Sequence, residues 1–322
     1  MVLRVMGSVW RNTQPILFVR LAVPSFAGAL LLAGCVQQVK PGAEGQPPAV
    51  SGAGATFPAP LYQRWFSHLL VREDLSISYR PTDSAAGELQ LQAGQVDFAG
   101  SDRPRLLGQW LEIPTTAGAI AVAYNHPGCE LRLNPEQLRQ ILTGSISNYS
   151  QLKCPPAPLQ VVVRGDSSGT TANVLQYLQV DAEQSWHLAS AQVVDSNEEM
   201  ATALMQSPGA IGYLDTVYLQ GRFKLRAAEL KNPAGHFVPP DAAAIDLALQ
   251  QLPRPREGYP LVTPSWLLVP KSGLGRKAAV IKQALTYGLS PAGQQEARSL
   301  GYAPLPRLLQ QQAIASIGAI QP

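Results

Sequence analysis

The octapeptide RGDSSGTT, Arg164 to Thr171, gathers an arginine, an acid, hydroxyls and glycines into one short stretch. Two chemistries use such a string. Gly165, Asp166, Ser167, Ser168 and Gly169 satisfy the G-x-S-x-G pattern that presents a nucleophilic serine on a strained strand-to-helix turn. That reading needs a histidine base, and His187 and His236 follow in no recognisable context. The other reading places the string at a helix mouth, where free backbone N–H groups face a bound anion. Arg164 then adds a planar fork of donors suited to a phosphate-like group.

Two further loops share this character. One carries Ala55, Thr56 and Phe57, and the other runs from Ser84 to Gly87. A helix start exposes unsatisfied N–H groups and about half a positive charge, so three starts facing one point would hold a tetrahedral oxyanion without a metal. Gly54, Gly87 and Gly169 allow close backbone approach. Each loop alone reads equally well as an ordinary helix cap, and Arg164 beside Asp166 as a plain salt bridge.

The elements needed to position these loops are visible in the apolar pattern. From residue 51 onward, short β-branched runs alternate with helical segments, which predicts parallel strands covered by helices. SGAGATFPAP reads as a glycine-rich turn entering a helix with Leu61, Trp65 and Leu69 on one face. LSISYRP reads as a strand, Ser84 as the cap of the next helix, and QVDFAGSDRP as a strand running into a loop. VVVRGDSSGTTANVLQYLQ gives strand, loop and helix in turn, with Val174, Leu175 and Leu178 on the buried face.

Composition narrows the function classes. Of 25 basic residues, Arg4, Arg11 and Arg20 precede residue 35, where there is no acid; the remainder balance the 22 acids. A balanced surface argues against nucleic acid as a partner. Residues 1–34 have a basic start and a short apolar run, the pattern of a signal peptide. LLAGC resembles the lipobox of bacterial lipoproteins, which would make Cys35 a lipidated first residue. Residues 35–50 are rich in Gln, Pro and Gly and read as a tether. With Cys35 lipidated, Cys129 and Cys154 are left to form a disulfide in an oxidising compartment; two separate thiols are the alternative. The four histidines, His68, His126, His187 and His236, show no ligand spacing, so no metal or other cofactor is expected.

GAGATFPAPLYQRW, DSAAG followed by VDFAGSDRP, VVVRGDSSGTT and PGAIGY together resemble the motifs of the periplasmic phosphate-binding proteins of ABC transporters, in order and at matching spacing, over about residues 51–306. The resemblance implies a type II periplasmic-binding-protein fold: two α/β lobes, each a mostly parallel sheet flanked by helices, joined by two hinge strands. Lobe I would comprise 51–120 and 262–322, and lobe II 121–261. It also implies a lipid-anchored, monomeric receptor outside the cytoplasmic membrane, delivering inorganic phosphate to membrane permease subunits and performing no catalysis.

The ligand residues carried over are Thr56, Phe57 through its backbone N–H, Ser84, Asp102, Arg164, Ser168, Gly169 and Thr170, with Asp166 steadying the arginine. Asp102 would act as a filter, because phosphate near neutral pH retains a proton to donate to a carboxylate and sulfate has none. Its alternatives are a solvated loop acid or a partner of Arg103 or Arg105. The chain departs from the family in the second loop, where Pro81, Thr82 and Asp83 stand in place of glycines. Another oxyanion, or hydrolysis by the GDSSG loop, are the competing functions.

Overall fold

The computed structural model describes residues 46–103, 108, 110–165, 167–181, 187, 189–219 and 225–322. The signal peptide, Cys35, Arg105 and Asp166 lie outside the described residues.

The first half of the fold is built from β1 (Val50–Gly54), α1 (Ala59–Glu73), β2 (Ile77–Pro81), α2 (Ser84–Gln92) and β3 (Phe98–Ser101). β1 lies between β2 and β3 and is parallel to both, so α1 and α2 are the crossovers. SGAGATFPAP is therefore less of a turn than its glycines suggest: VSGAG is a buried central strand whose small residues let α2 approach its backbone. A long strand, β4 (Trp110–Tyr124), leads into β5 (Arg132–Leu133), α3 (Pro135–Leu142), β6 (Gln160–Arg164), α4 (Gly169–Leu178), β7 (Gln192–Val194), α5 (Asn197–Gln206) and β8 (Ala210–Asp215). Here β6 is parallel to both β7 and β8. The chain continues through β9 (Arg226–Ala227), β10 (Glu229–Lys231), β11 (Phe237–Val238), α6 (Ala242–Leu249) and β12 (Val262–Pro270), and closes with α7 (Lys277–Leu289), α8 (Pro291–Ser299) and α9 (Arg307–Ile317).

The main sheet runs β2-β1-β3-β12-β4-β8-β6-β7. Its two parallel sets meet through β12 and β4, which are antiparallel to their neighbours. Residues Trp110–Ala119 of β4 pair with β12, and Ile120–Tyr124 pair with β8. The chain thus passes between halves at one point of β4. Beneath the first half lies an aromatic core in which Tyr62 meets Trp65, Phe66 and Tyr79.

Cys129 and Cys154 are bonded. The bridge closes a loop with a sequence separation of 25 residues, which the chain-entropy model values at roughly 3 kcal/mol. Replacing both by serine is expected to lower the melting temperature by roughly 5–10 °C, read by calorimetry, while leaving ligand affinity unchanged. Among the described residues, no helix is long and apolar enough to cross a membrane.

Candidate functional site

β1 ends at Gly54, where φ is +139° and a Cβ would lie 2.1 Å from the carbonyl oxygen of Gly100; only glycine fits. The three residues that follow are pinned by tyrosines. Tyr79 donates to the carbonyl of Ala55 (2.8 Å), Tyr218 to that of Thr56 (3.4 Å) and Tyr302 to that of Phe57 (2.6 Å). Burial holds all three hydroxyls well above the ordinary tyrosine range, so they remain neutral donors. In a trans peptide the N–H points away from the preceding carbonyl, so the bond from Tyr218 to Thr56 turns the Phe57 N–H in the opposite direction. The Phe57 ring is fully buried, 5.1 Å from that of Tyr302.

In the second loop the helix cap is Asp83, not Ser84. The Asp83 carboxylate accepts from the Ala86 N–H at 2.8 Å, and Ser84 is the first residue of α2. That leaves the buried Ser84 hydroxyl to accept from the Asp102 N–H at 3.2 Å. Asp102 follows β3 and is 3% exposed. Ser265 of β12 donates to its Oδ1 at 2.8 Å, while Thr263 and Asn173 donate to its carbonyl, each at 3.2 Å. Burial pushes the Asp102 carboxyl up to about 7; Ser265, Arg164 and Arg103 pull the other way.

Arg164 ends β6 and is 3% exposed. Its N–H donates to the Tyr213 hydroxyl (3.2 Å) and its Nη2 to the Asp195 carbonyl (3.1 Å). Ser168 is the N-cap of α4: its Oγ accepts from the Thr171 N–H (3.0 Å) and donates to Thr171 Oγ1 (3.0 Å), which meets the Tyr213 hydroxyl at 3.0 Å. Ser168 is thus tied into a capping network that also reaches the backbone of Arg164, whereas the serine at the centre of the G-x-S-x-G pattern is its neighbour Ser167. A Cβ on Gly169 would come within 2.7 Å of Asp102 Cβ and 2.8 Å of Ser84 Oγ, so the first turn of α4 sits directly on the second loop.

Two residues join these loops that the sequence reading did not select. Asn197, the first residue of α5, donates through Nδ2 to Thr56 Oγ1 at 3.0 Å and to Asp215 Oδ2, and its Oδ1 accepts from the Asp215 N–H at 3.2 Å. Asp215 ends β8. Burial, then the neighbouring Asp102 charge, raise its carboxyl well above the usual range, opposed by Arg164. Thr56 is thus joined to Asp215 through Asn197, Ser84 and Asn173 hold Asp102 against Gly169, and Ser168 reaches Arg164 through Thr171 and Tyr213; the charges of Asp102, Arg164 and Asp215 act on one another, and Thr170 and Phe57 are buried as well. A cleft of about 550 Å³ opens beside Thr56, walled by Pro81, Thr82 and Asp83 on one side and by Asp195, Glu198 and Tyr218 on the other. Among the described residues no group of three or more His, Cys, Asp or Glu side chains could hold a metal ion.

The PBP superfamily domain matches residues 41–291, which sets the class of the chain as a two-lobe solute-binding protein. The phosphate-binding protein PstS of Xylella fastidiosa is 30% identical over 304 residues, covering 80% of this chain and 81% of that protein. PstS of Methanocaldococcus jannaschii is 26% identical over 317 residues, covering 79% and 81%. An ABC-type phosphate transport receptor from Vibrio cholerae superposes with a TM-score of 0.61 at 19% identity, over 80% of this chain and 100% of that one. A phosphate-binding protein from Stenotrophomonas maltophilia gives 0.66 at 19% identity, over 83% and 93%. The chain belongs to the PstS phosphate-binding proteins of the PBP superfamily.

Proposed function

We propose that this chain captures inorganic phosphate outside the cytoplasmic membrane and presents it, chemically unchanged, to the permease subunits of an ABC transporter. The observation that carries this reading is the burial of two opposite charges that act on one another, Asp102 and Arg164, among hydroxyl-bearing helix starts. An arginine and free amides attract an anion; the acid beside them favours one that still carries a proton. Thr56, Phe57, Ser84, Asp102, Arg164, Ser168, Gly169 and Thr170 hold the ligand, and Asp166 steadies Arg164. Lobe I comprises 51–120 and 262–322 and lobe II 121–261, a division supported by the change of partners along β4 at Ala119 and Ile120. Cys35 is lipidated after removal of 1–34, and the monomer works tethered to the membrane by 35–50.

Calorimetry on the chain truncated after Cys35 tests this. Phosphate is expected to bind with a stoichiometry of one, and sulfate to give no heat. Preferential binding of sulfate, or phosphomonoester hydrolysis that disappears in Ser167→Ala or Ser168→Ala, would overturn it.

A further inference from the structure

We infer that Asn197 is a positioning residue for the anion site: held in one orientation by Asp215, it fixes the direction in which the Thr56 hydroxyl donates, and it does so across the two halves of the sheet. The inference rests on the proposed phosphate site and adds to it a residue that touches no ligand.

The argument is one of donors and acceptors. The Asp215 N–H can only donate, and it meets Asn197 Oδ1 at 3.2 Å. Flipping the amide would set an NH₂ group against an N–H, so the orientation is settled by the backbone. Nδ2 then supplies its two hydrogens to the Asp215 carboxylate and to Thr56 Oγ1, the latter at 3.0 Å. A threonine hydroxyl has one hydrogen and two lone pairs. With a lone pair committed to Asn197, the Thr56 hydrogen is left for another acceptor, and at 6% exposure that acceptor lies in the site rather than in bulk water.

The two partners sit on different parts of the fold. Thr56 follows β1, in the set β2-β1-β3, whereas Asn197 begins α5, between β7 and β8 of the other set. Any separation of the halves breaks this bond and frees the hydroxyl to rotate. Ligand affinity and closure are thereby joined at a single hydroxyl.

A double-mutant cycle on the full-length protein in detergent, titrated with inorganic phosphate, tests the inference. Asn197→Ala alone is expected to weaken binding by about 10–100-fold, chiefly through faster dissociation in stopped flow. Thr56→Val, which keeps shape and removes the hydroxyl, should cost a similar amount. In the Thr56→Val background Asn197→Ala should then change affinity less than about threefold, whereas in Thr56→Ser its effect should return. Asn197→Asp, of equal size, offers Thr56 an acceptor in place of a donor and should bind more weakly than Asn197→Ala. Multiplicative losses in the double variant, or parental affinity in Asn197→Asp, would overturn the inference alone. A parent that binds no phosphate would overturn the proposed site itself.

Discussion

Arg164→Ala is expected to lower phosphate affinity by roughly a thousandfold or more, the larger of the two greatest losses expected at this site. The reason is charge as much as contact. Arg164 acts on two buried carboxylates, those of Asp102 and Asp215, and lowers the cost of ionising both. Removing it leaves those acids facing an incoming anion, and two charge-assisted hydrogen bonds to the ligand, each worth about 1.5–3 kcal/mol, are lost with it. Arg164→Lys keeps the charge but not the planar fork, so it should fall between parent and alanine, within about 10–100-fold of the parent. The alanine variant loses the bond from Nη2 to the Asp195 carbonyl but should still fold, because it keeps the bond from the Arg164 backbone N–H to Tyr213 and the Ser168–Thr171–Tyr213 hydroxyl chain. Calorimetry with phosphate, alongside a melting curve for the ligand-free protein, separates the two effects. Parental affinity in a folded Arg164→Ala would place the anion elsewhere.

The part of the site that could be read from the sequence is the part built locally. Strand, loop and helix at Arg164–Thr171 follow from a β-branched run, small residues and a capping serine, all within one short segment. Where two neighbouring residues suit one local role, residue type does not decide between them: Asp83, not Ser84, caps α2, and the Ser84 hydroxyl bonds Asp102. That finding also answers the departure in the second loop, since the extra carboxylate is engaged by Ala86 N–H. Asn197, Asp215, Ser265 and the three tyrosines behind the first loop are not legible, because their partners are distant in the sequence and only long-range strand pairing and packing bring them close. One signal was available. Asp102, Arg164 and Asp215 each stand at or just past the carboxyl end of an apolar strand, the position at which α/β sheets present ligand groups. Applied to AIGYLD, that rule selects Asp215.

Asp102→Asn is expected to abolish most of the discrimination between phosphate and sulfate, cutting the affinity ratio at pH 8 by roughly a hundredfold or more. Ionised, Asp102 accepts a hydrogen bond from the proton that phosphate retains and sulfate lacks, so sulfate meets repulsion and an unanswered acceptor. The replacing amide is uncharged and offers an NH₂ that can donate to either anion, while its carbonyl can keep the bond from Ser265 that Oδ1 now accepts at 2.8 Å. Acidification of the parent should act in the same direction. Burial raises this carboxyl from 3.8 to about 7, so below pH 7 the ligand-free site holds a proton there, and sulfate binding should strengthen as pH falls from 8 to 5. In Asp102→Asn that dependence should be flattened. Stability reports the same group through linkage. Because the folded-state pKa exceeds the unfolded value, the contribution of Asp102 is fully present below about pH 4 and is lost as pH rises through about 7, so melting of the ligand-free parent should fall across that interval more steeply than melting of Asp102→Asn. Sulfate exclusion that is equal at pH 5 and pH 8, and equal again in Asp102→Asn, would assign the filter to some other group and leave Asp102 a purely structural acid held by Ser265.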